Sequence, residues 1–337
     1  MRCVFVVQAS KNMGTGHLMR CLALAQVFDN HDIESTFLLD EASLASAKQR
    51  HDWTGRIVAH HYAADLADRS VDVKRAARQC GSLPDWVIVD GYQFDAEYCG
   101  AWRALGCRVA LFDDGVHDAR ALESADCVLA GTDYRLLRRE FWSIMPLPVT
   151  QRHSLTLSFG GSDPANITQP LLLALERLNF SGPVRVVTGQ AYADPQRIGR
   201  FVGQSSLTIQ HIHAAQDMAD VWSNARLAVS AAGGSQFELA VCETPSILVV
   251  VADNQRAATE QAVAEGWCES ILLTHATSEH SGGASQNDID AIAQRILALW
   301  EDETALLTMQ QAIVGRYTAD GGERIIDALL QAERADG

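Results

Sequence analysis

The stretch Cys3-Val4-Phe5-Val6-Val7, followed by Gly14-Thr15-Gly16-His17, decides the fold of this chain. Five apolar residues in a row indicate a buried strand, and the glycines indicate a turn that leads into a helix. Backbone N–H groups can approach a ligand closely at such a turn, and the helix N-terminus behind it favours negative charge. His17 at the helix start can take up or release a proton near neutral pH. The stretch therefore predicts chemistry on an anionic, phosphorylated substrate.

Short apolar strands and helical segments alternate along the rest of the chain. This pattern predicts parallel sheets covered on both faces. Pro146-Leu147-Pro148 indicates a hinge, because each proline biases the preceding residue away from helix. We therefore predict an α/β chain of two Rossmann-like βαβ domains, 1–146 and 150–337, that face each other across a cleft, with the last helix packing back on the first domain. The predicted strands are 3–7, 35–39, 57–60, 85–90, 108–112 and 127–130, then 153–159, 184–187, 207–209, 227–230 and 246–251.

Composition and charge restrict the class of protein. Apolar residues make up 47% of the chain and charged residues 20%, which is typical of a soluble globular protein. The formal net charge of −15 argues against nucleic acid or an anionic membrane surface as a partner. The eight cysteines form no C-x-x-C pair, and no apolar run approaches the roughly 18–20 residues that span a bilayer. We expect a reduced cytoplasmic protein without a membrane span.

Two further glycine clusters follow predicted strands. Exposed N–H groups at Gly233-Gly234 can hold a diphosphate. Ser235 has the side chain of a helix N-cap and Glu238 has capping-box spacing, so capping explains these two residues as well as ligand binding does. Gly160-Gly161-Ser162 is predicted as a mobile loop at the same cleft, although a simple strand-to-helix turn accounts for it too.

Two other patterns point to cofactors, and neither is complete. Gly14-x-Gly16 lacks the third glycine of the dinucleotide fingerprint. The adjacent carboxylates Asp113 and Asp114 suggest a metal pair, but no His/Asp cluster with ligand spacing accompanies them. We expect a polar strand end there and no metal.

Six segments occur in the order found in a known family: 14–21, 89–92, 112–114, 134–141, 158–164 and 252–255. Together they resemble the nucleotide-sugar hydrolases of pseudaminic acid biosynthesis, whose substrate is a UDP-activated diacetamido-trideoxy-altropyranose. The region from Asp217 to Gln255 is also similar to the UDP-GlcNAc transferase of lipid II synthesis.

The resemblance implies a GT-B fold that cleaves a UDP-sugar at the anomeric carbon with inversion, releasing UDP. His17 would be the general base that activates water, and helix dipoles rather than a metal or cofactor would stabilise the leaving diphosphate. On the nucleotide side, Glu238 would bind the ribose, Gly233, Gly234 and Ser235 the diphosphate, and His213 and Met218 the uracil. On the sugar side, the resemblance and the glycine turns point to Gly14, Gly16, Asp90, Tyr92, Gly160, Gly161, Ser162, Asn254 and Gln255.

The chain departs from this family at two places in the first domain. Gln8-Ala9-Ser10 stands where an Arg-x-Asp segment is usual, and Asp90-Gly91-Tyr92 replaces Asp-His-Tyr. These changes alter the sugar-facing side and leave the UDP side intact. Two alternatives to hydrolysis therefore stay open: a GT-B glycosyltransferase that moves the sugar to a small acceptor, and a nucleotide-sugar binding protein without activity.

Overall fold

The structure is a computed structural model that describes residues 1–8, 16–62, 69–274 and 283–335. The chain forms two compact units. Unit 1 comprises Met1–Arg139 and Ala319–Gly337, and unit 2 comprises Glu140–Thr318.

Unit 1 is built on six parallel strands. They are β1 (Arg2–Val7), β2 (Glu34–Leu39), β3 (Arg56–Ala59), β4 (Trp86–Asp90), β5 (Arg108–Asp113) and β6 (Cys127–Ala130). Their order in the sheet is β3-β2-β1-β4-β5-β6. Successive strands are therefore added toward one edge from β1 to β3 and toward the other edge from β4 to β6, so the strand order reverses between β1 and β4. Every residue of β4 is buried, as its nearly continuous apolar run predicts.

Helices connect the strands of unit 1. Leu18, Leu22 and Phe28 of the first helix are fully buried, as the helical spacing of its apolar residues predicts. The helices in this part of the chain are α1 (Gly16–Asn30), α2 (Glu41–Lys48), α3 (Arg69–Cys80), α4 (Ala96–Arg103) and α5 (Ala119–Glu123), with short 3₁₀ helices at Thr132–Tyr134 and Arg139–Phe141.

Unit 2 repeats the same topology. Its strands are β7 (Ser154–Ser158), β8 (Val184–Thr188), β9 (Ile209–His213), β10 (Ala225–Ala231), β11 (Ser246–Val250) and β12 (Cys268–Leu272). They are parallel in the order β12-β11-β10-β7-β8-β9, and the reversal lies between β7 and β10. Two predictions differ from the structure: β9 begins where the predicted strand 207–209 ends, and β12 was not predicted.

The helices of unit 2 cover its sheet around a core that includes Leu155, Leu157, Leu171 and Val229. They are α6 (Thr168–Arg177), α7 (Pro195–Val202), α8 (Met218–Ser223), α9 (Ser235–Val241), α10 (Arg256–Ala264), α11 (Gln286–Glu301) and α12 (Glu303–Ile313), with 3₁₀ helices at Val149–Gln151 and Asp253–Gln255.

The last helix, α13 (Gly321–Ala335), belongs to unit 1. Trp86 Nε1 of β4 donates to Glu333 Oε1 over 2.9 Å. A Cβ on Gly322 would lie 2.5 Å from a methyl of Val27, so only glycine allows α13 to approach α1 this closely. The predicted α/β class with two Rossmann-like domains is confirmed by the two sheets.

Candidate functional site

The first candidate site lies at the carboxyl edge of the unit 1 sheet. Val7 at the end of β1 pairs with Asp90 at the end of β4, where the strand order reverses. His17 is the second residue of α1, the helix that follows β1. Open α/β sheets bind ligands at such a switch point. Gly16 begins α1, with open space where a Cβ would stand, and Gly14 lies outside the described residues.

A network of short hydrogen bonds joins His17 to Asp90 and Arg20. His17 Nδ1 donates to Asp90 Oδ1 over 2.7 Å. Arg20 binds both oxygens of Asp90, from Nη2 to Oδ1 at 2.6 Å and from Nε to Oδ2 at 2.8 Å. Arg20 Nη1 also donates to Asp114 Oδ1 at 2.7 Å. The Asp90 side chain is completely buried, so it lies beneath the site and holds His17 in place.

The geometry assigns the ring proton of His17. A carboxylate only accepts hydrogen bonds, so the 2.7 Å contact with Asp90 places the proton on Nδ1. The longer 3.2 Å approach of Arg20 Nη2 to Nδ1 is secondary, because Nη2 donates to Asp90. Nε2 then carries the lone pair, and it has no hydrogen-bond partner within the described part of the chain. This is the arrangement of a general base oriented by a carboxylate.

Charge interactions within the network shift the pKa values of Asp90 and Arg20. Burial alone would raise the pKa of Asp90, but the charge and hydrogen bonds of Arg20, assisted by His17, lower that pKa well below its usual value. Asp90 is therefore ionised at neutral pH. Burial acts against the charge of Arg20, yet Asp90 and Asp114 raise the pKa of Arg20 well above its usual value. The ionised carboxylate of Asp90 therefore contacts both the guanidinium of Arg20 and the imidazole of His17.

Tyr92 borders His17 on the surface. Its ring meets the imidazole edge-on, with centroids 4.9 Å apart. The phenol donates to Asp114 Oδ2 over 3.2 Å. Because Tyr92 is 39% exposed, it is available to a ligand at His17, whereas Asp90 is not.

The two carboxylates at the end of β5 have different roles. Asp113 Oδ1 accepts the backbone N–H groups of Gly115 and Val116 and contacts His117 Nδ1, so it stabilises the turn. Asp114 belongs to the Arg20 network. Over the described ranges, no group of three or more His, Cys, Asp or Glu side chains could hold a metal ion.

The second candidate site lies at the switch point of unit 2. Gly160, with φ +77°, and Gly161 follow β7. A Cβ on Gly189, after β8, would lie 2.4 Å from Gly161 Cα, so these two loops touch through glycine backbone. Ser162 is partly exposed, and the buried Asp163 accepts two backbone N–H groups at the start of α6. The loop is thus fixed at one end and open at Gly160.

The structure does not show the capping box that was the alternative explanation for Ser235 and Glu238. Ser235 is the first residue of α9, Gly234 is the N-cap, and no side chain caps the helix. Glu238 Oε2 instead accepts the indole N–H of Trp222 over 2.9 Å. Capping was the alternative to ligand binding for these residues, and it does not account for them.

The turn before α9 presents backbone donors. The carbonyl oxygens of Gly233 and Gly234 accept hydrogen bonds from the N–H groups of Gln236 and Phe237. The N–H groups of the two glycines themselves have no backbone acceptor in the described ranges. Gln255 lies beside this turn: its Nε2 would be 3.8 Å from a Cβ on Gly233, and its Oε1 accepts from Val251 N. Asn254 is exposed next to it. The structure therefore brings Gly233, Gly234 and Gln255 together.

The residues predicted at the uracil lie at the ends of β9 and α8. Thr188 Oγ1 bridges His213 Nδ1 at 3.1 Å and His211 Nε2 at 2.8 Å. Burial, followed by the neighbouring His213, lowers the pKa of His211. Met218 begins α8, and its N–H donates to Glu140 Oε1.

Sequence reasoning missed the roles of Arg20 and Asp114. Arg20 stands three residues after His17, so both side chains lie on one face of α1. That spacing was a usable signal. Asp114 gave no such signal, because only the folded sheet brings the end of β5 beside α1.

The two parallel six-stranded sheets define a GT-B fold, which is also the fold of the solved glycosyltransferase structures that resemble this chain. Residues 156–312 match the family model described as the glycosyltransferase family 28 C-terminal domain. No helix in the described part of the chain is long and apolar enough to cross a membrane.

Individual proteins with this similarity are distant. The crystal structure of Acinetobacter baumannii MurG aligns with a TM-score of 0.66 and 15% identity over 98% of this chain and 99% of that one. Anabaena Alr3699/HepE in complex with UDP-glucose aligns with a TM-score of 0.64 and 12% identity over 98% and 100%. The uncharacterized protein MJ1062 of Methanocaldococcus jannaschii is 20% identical over 286 residues, 76% of this chain but only 57% of that protein. Membership of the hydrolase family stays a prediction.

Proposed function

We propose that this chain is a glycosyl-transfer enzyme that acts on a UDP-activated sugar. Unit 2 binds UDP, and His17 of unit 1 activates the nucleophile that attacks the anomeric carbon. The observation that supports this most directly is the 2.7 Å bond from His17 Nδ1 to the buried carboxylate of Asp90, which leaves Nε2 as a base.

The proposed reaction is a single displacement. His17 Nε2 removes a proton from a hydroxyl, whose oxygen forms a bond to the anomeric carbon. The bond from that carbon to the phosphate oxygen breaks, and UDP leaves with the electron pair. The imidazolium that forms is stabilised by its hydrogen bond to the carboxylate of Asp90. Attack opposite the leaving group inverts the anomeric configuration.

The proposed UDP site uses the residues around α9. The N–H groups of Gly233 and Gly234 are available to diphosphate oxygens. We propose that Glu238, which accepts a hydrogen bond from Trp222, binds the ribose hydroxyls. Two comparisons support this site. The family 28 match covers this region, and the crystal structure of HepE, which has the same fold, contains UDP-glucose.

The nucleophile separates two forms of the proposal. The family 28 match favours an acceptor hydroxyl and therefore glycosyl transfer. The six ordered segments, with His17 among them, favour water and therefore hydrolysis as the second candidate.

One experiment distinguishes these forms. UDP release is measured from a panel of UDP-sugars, including the diacetamido-trideoxy sugar, in ¹⁸O-labelled water with and without candidate acceptor alcohols. Transfer predicts slow release until an acceptor is added and no label in the product. Hydrolysis predicts fast release with ¹⁸O at the anomeric carbon. UDP-sugar binding without turnover under all conditions would contradict both.

Glu238→Gln tests the nucleotide side separately. The amide oxygen can still accept from Trp222, but the charge that strengthens the ribose hydrogen bonds is lost. We expect the Kd for UDP to rise about tenfold or more, measured by titration calorimetry. Glu260→Ala, an exposed carboxylate on α10, should leave the Kd unchanged. An unaltered Kd in Glu238→Gln would remove Glu238 from the UDP site.

A further inference from the structure

A chain of side-chain amides lies at the carboxyl edge of the unit 1 sheet. Gln8 directly follows β1, Asp40 directly follows β2, and Gln93 lies three residues beyond the end of β4. Gln8 Nε2 donates to Asp40 Oδ2 over 3.3 Å, and Gln93 Nε2 donates to Gln8 Oε1 over 2.9 Å. None of these side chains has a part in the His17 network.

The carboxylate of Asp40 fixes the direction of this chain. A carboxylate offers only acceptors, so Gln8 must present its NH₂ group to Asp40 and its oxygen to Gln93. Gln93 must then donate a hydrogen bond from its NH₂ group to Gln8. Its oxygen Oε1 is buried and has no hydrogen-bond partner among the described residues. A buried amide oxygen without a donor is costly.

Gly91 makes room for this arrangement. A Cβ at position 91 would lie 2.8 Å from both amide atoms of Gln93, and the φ of Gly91 is +147°. Any larger residue would therefore displace the Gln93 amide. Gln8 and Gly91 lie in the two segments that depart from the hydrolase family. Gln93 connects them, because its amide binds Gln8 and occupies the space beside Gly91.

This feature lies beside the proposed base. Asp90 and Val7 are register neighbours, so Gln8 and the segment after β4 leave the sheet at adjacent points. Within that segment, Tyr92 contacts the His17 ring while Gln93 turns to Gln8. A sugar at His17 thus has the amide pair next to it.

We propose that Gln93 is a specificity-determining residue whose Oε1 accepts a hydrogen bond from an uncharged N–H or O–H donor of the bound sugar. Gln8 is a positioning residue that holds it. The donor is an acylamino N–H or a hydroxyl. A sugar that carries a carboxylate should not bind here, because its oxygens are repelled by the Gln93 amide oxygen, which Asp40 polarises through Gln8. The inference rests on the proposed function, since it assumes a UDP-sugar at His17.

The test compares sugar-dependent binding in full-length variants. Kd values for UDP, UDP-GlcNAc, UDP-glucose and UDP-glucuronic acid are measured in a His17→Ala background, in which turnover of the sugar is slow. The ratio of the UDP Kd to each UDP-sugar Kd isolates the contribution of the sugar. Gln93→Met keeps the side-chain length and removes the acceptor. We expect it to lower the ratio about tenfold for UDP-GlcNAc, UDP-glucose or both, with the UDP Kd unchanged.

The pattern identifies the donor. A loss confined to UDP-GlcNAc assigns the acylamino N–H, and an equal loss with UDP-glucose assigns a hydroxyl. UDP-glucuronic acid should bind the parent protein no more tightly than UDP does, and its affinity should increase in Gln93→Met. Gln8→Met should shift the same ratios in the same direction by a smaller factor. If Gln93→Met does not fold, the ratios of Gln8→Met test the inference in its place.

Gln49→Leu, an exposed glutamine at the end of α2, serves as the control and should change no ratio. Equal ratios in the parent, Gln93→Met and Gln8→Met would overturn the inference while the proposed function stands. If the parent binds neither UDP nor any UDP-sugar, the proposed function fails first, and the inference falls with it.

Discussion

His17→Ala is expected to lower kcat for UDP release by about 10²–10⁴-fold, the usual contribution of a positioned general base. The Kd for UDP should stay the same, because every residue proposed for the nucleotide lies in unit 2. The reason is geometric: Asp90 fixes Nδ1 and leaves Nε2 as the one ring atom able to take the proton. Initial rates of UDP release and calorimetric titration with UDP measure the two quantities.

Two comparisons sharpen this prediction. His31→Ala removes a half-exposed histidine that pairs with Glu323 in the same unit, and its rate should match the parent. Added imidazole should partly restore the rate of His17→Gly, since a free base can occupy the space. A kcat of His17→Ala within twofold of the parent would show that His17 is not the base.

The fold was predictable wherever strands are buried on both faces. Continuous apolar runs mark β1, β4 and β11, and the predicted bounds fall within about a residue of the structure. The two failures are the edge strands of unit 2, β9 and β12. Only Cys268 of β12 is buried, and the other four residues are partly or fully exposed. β9 contains a glutamine and two histidines, so neither strand has a continuous apolar run. An edge strand has one neighbour and tolerates such residues.

The candidate site was predictable as residues but not as contacts. His17 and Asp90 were each chosen, yet 73 positions separate them, and only the reversal of strand order brings β1 beside β4. Ser235 and Glu238 show the opposite case. Their spacing fits a capping box, but Glu238 bonds to Trp222, a partner 16 positions earlier that no local pattern reveals.

Asp90→Asn is the second variant for which we expect a large effect, a fall in kcat of about 10²–10⁴-fold. Asp90 accepts hydrogen bonds on both oxygens, one from His17 and two from Arg20. An asparagine amide has one oxygen, so its NH₂ group must face a donor at one of these places. If it faces His17, the imidazole moves its proton to Nε2 and loses its basic atom. The rate of UDP release measures the effect. An unchanged Kd for UDP would show that the substitution does not disturb the nucleotide site of unit 2.

The same substitution should also destabilise the protein by about 3–5 kcal/mol, because it removes the partner of a largely buried guanidinium. The loss depends on pH with a definite sign. Although burial opposes it, Arg20 holds the folded-state pKa of Asp90 below its usual value, so Asp90 stabilises the fold above the unfolded-state pKa of about 3.9. That contribution disappears as the pH falls below this value toward the lowered pKa. Urea unfolding of the parent and Asp90→Asn should therefore differ most near neutral pH and converge in acid.

Asp114→Asn separates this effect from a general loss of charge around Arg20. Asp114 also binds Arg20, but its side chain is 33% exposed, and water can replace it. We expect less than about 1 kcal/mol of destabilisation there. If Asp90→Asn were no more costly than Asp114→Asn and its difference from the parent did not shrink in acid, the buried ion pair would not be what holds His17. Since orientation of the base and stability of the edge both depend on Asp90, the two losses should appear together in Asp90→Asn, whereas His17→Ala should lose activity alone.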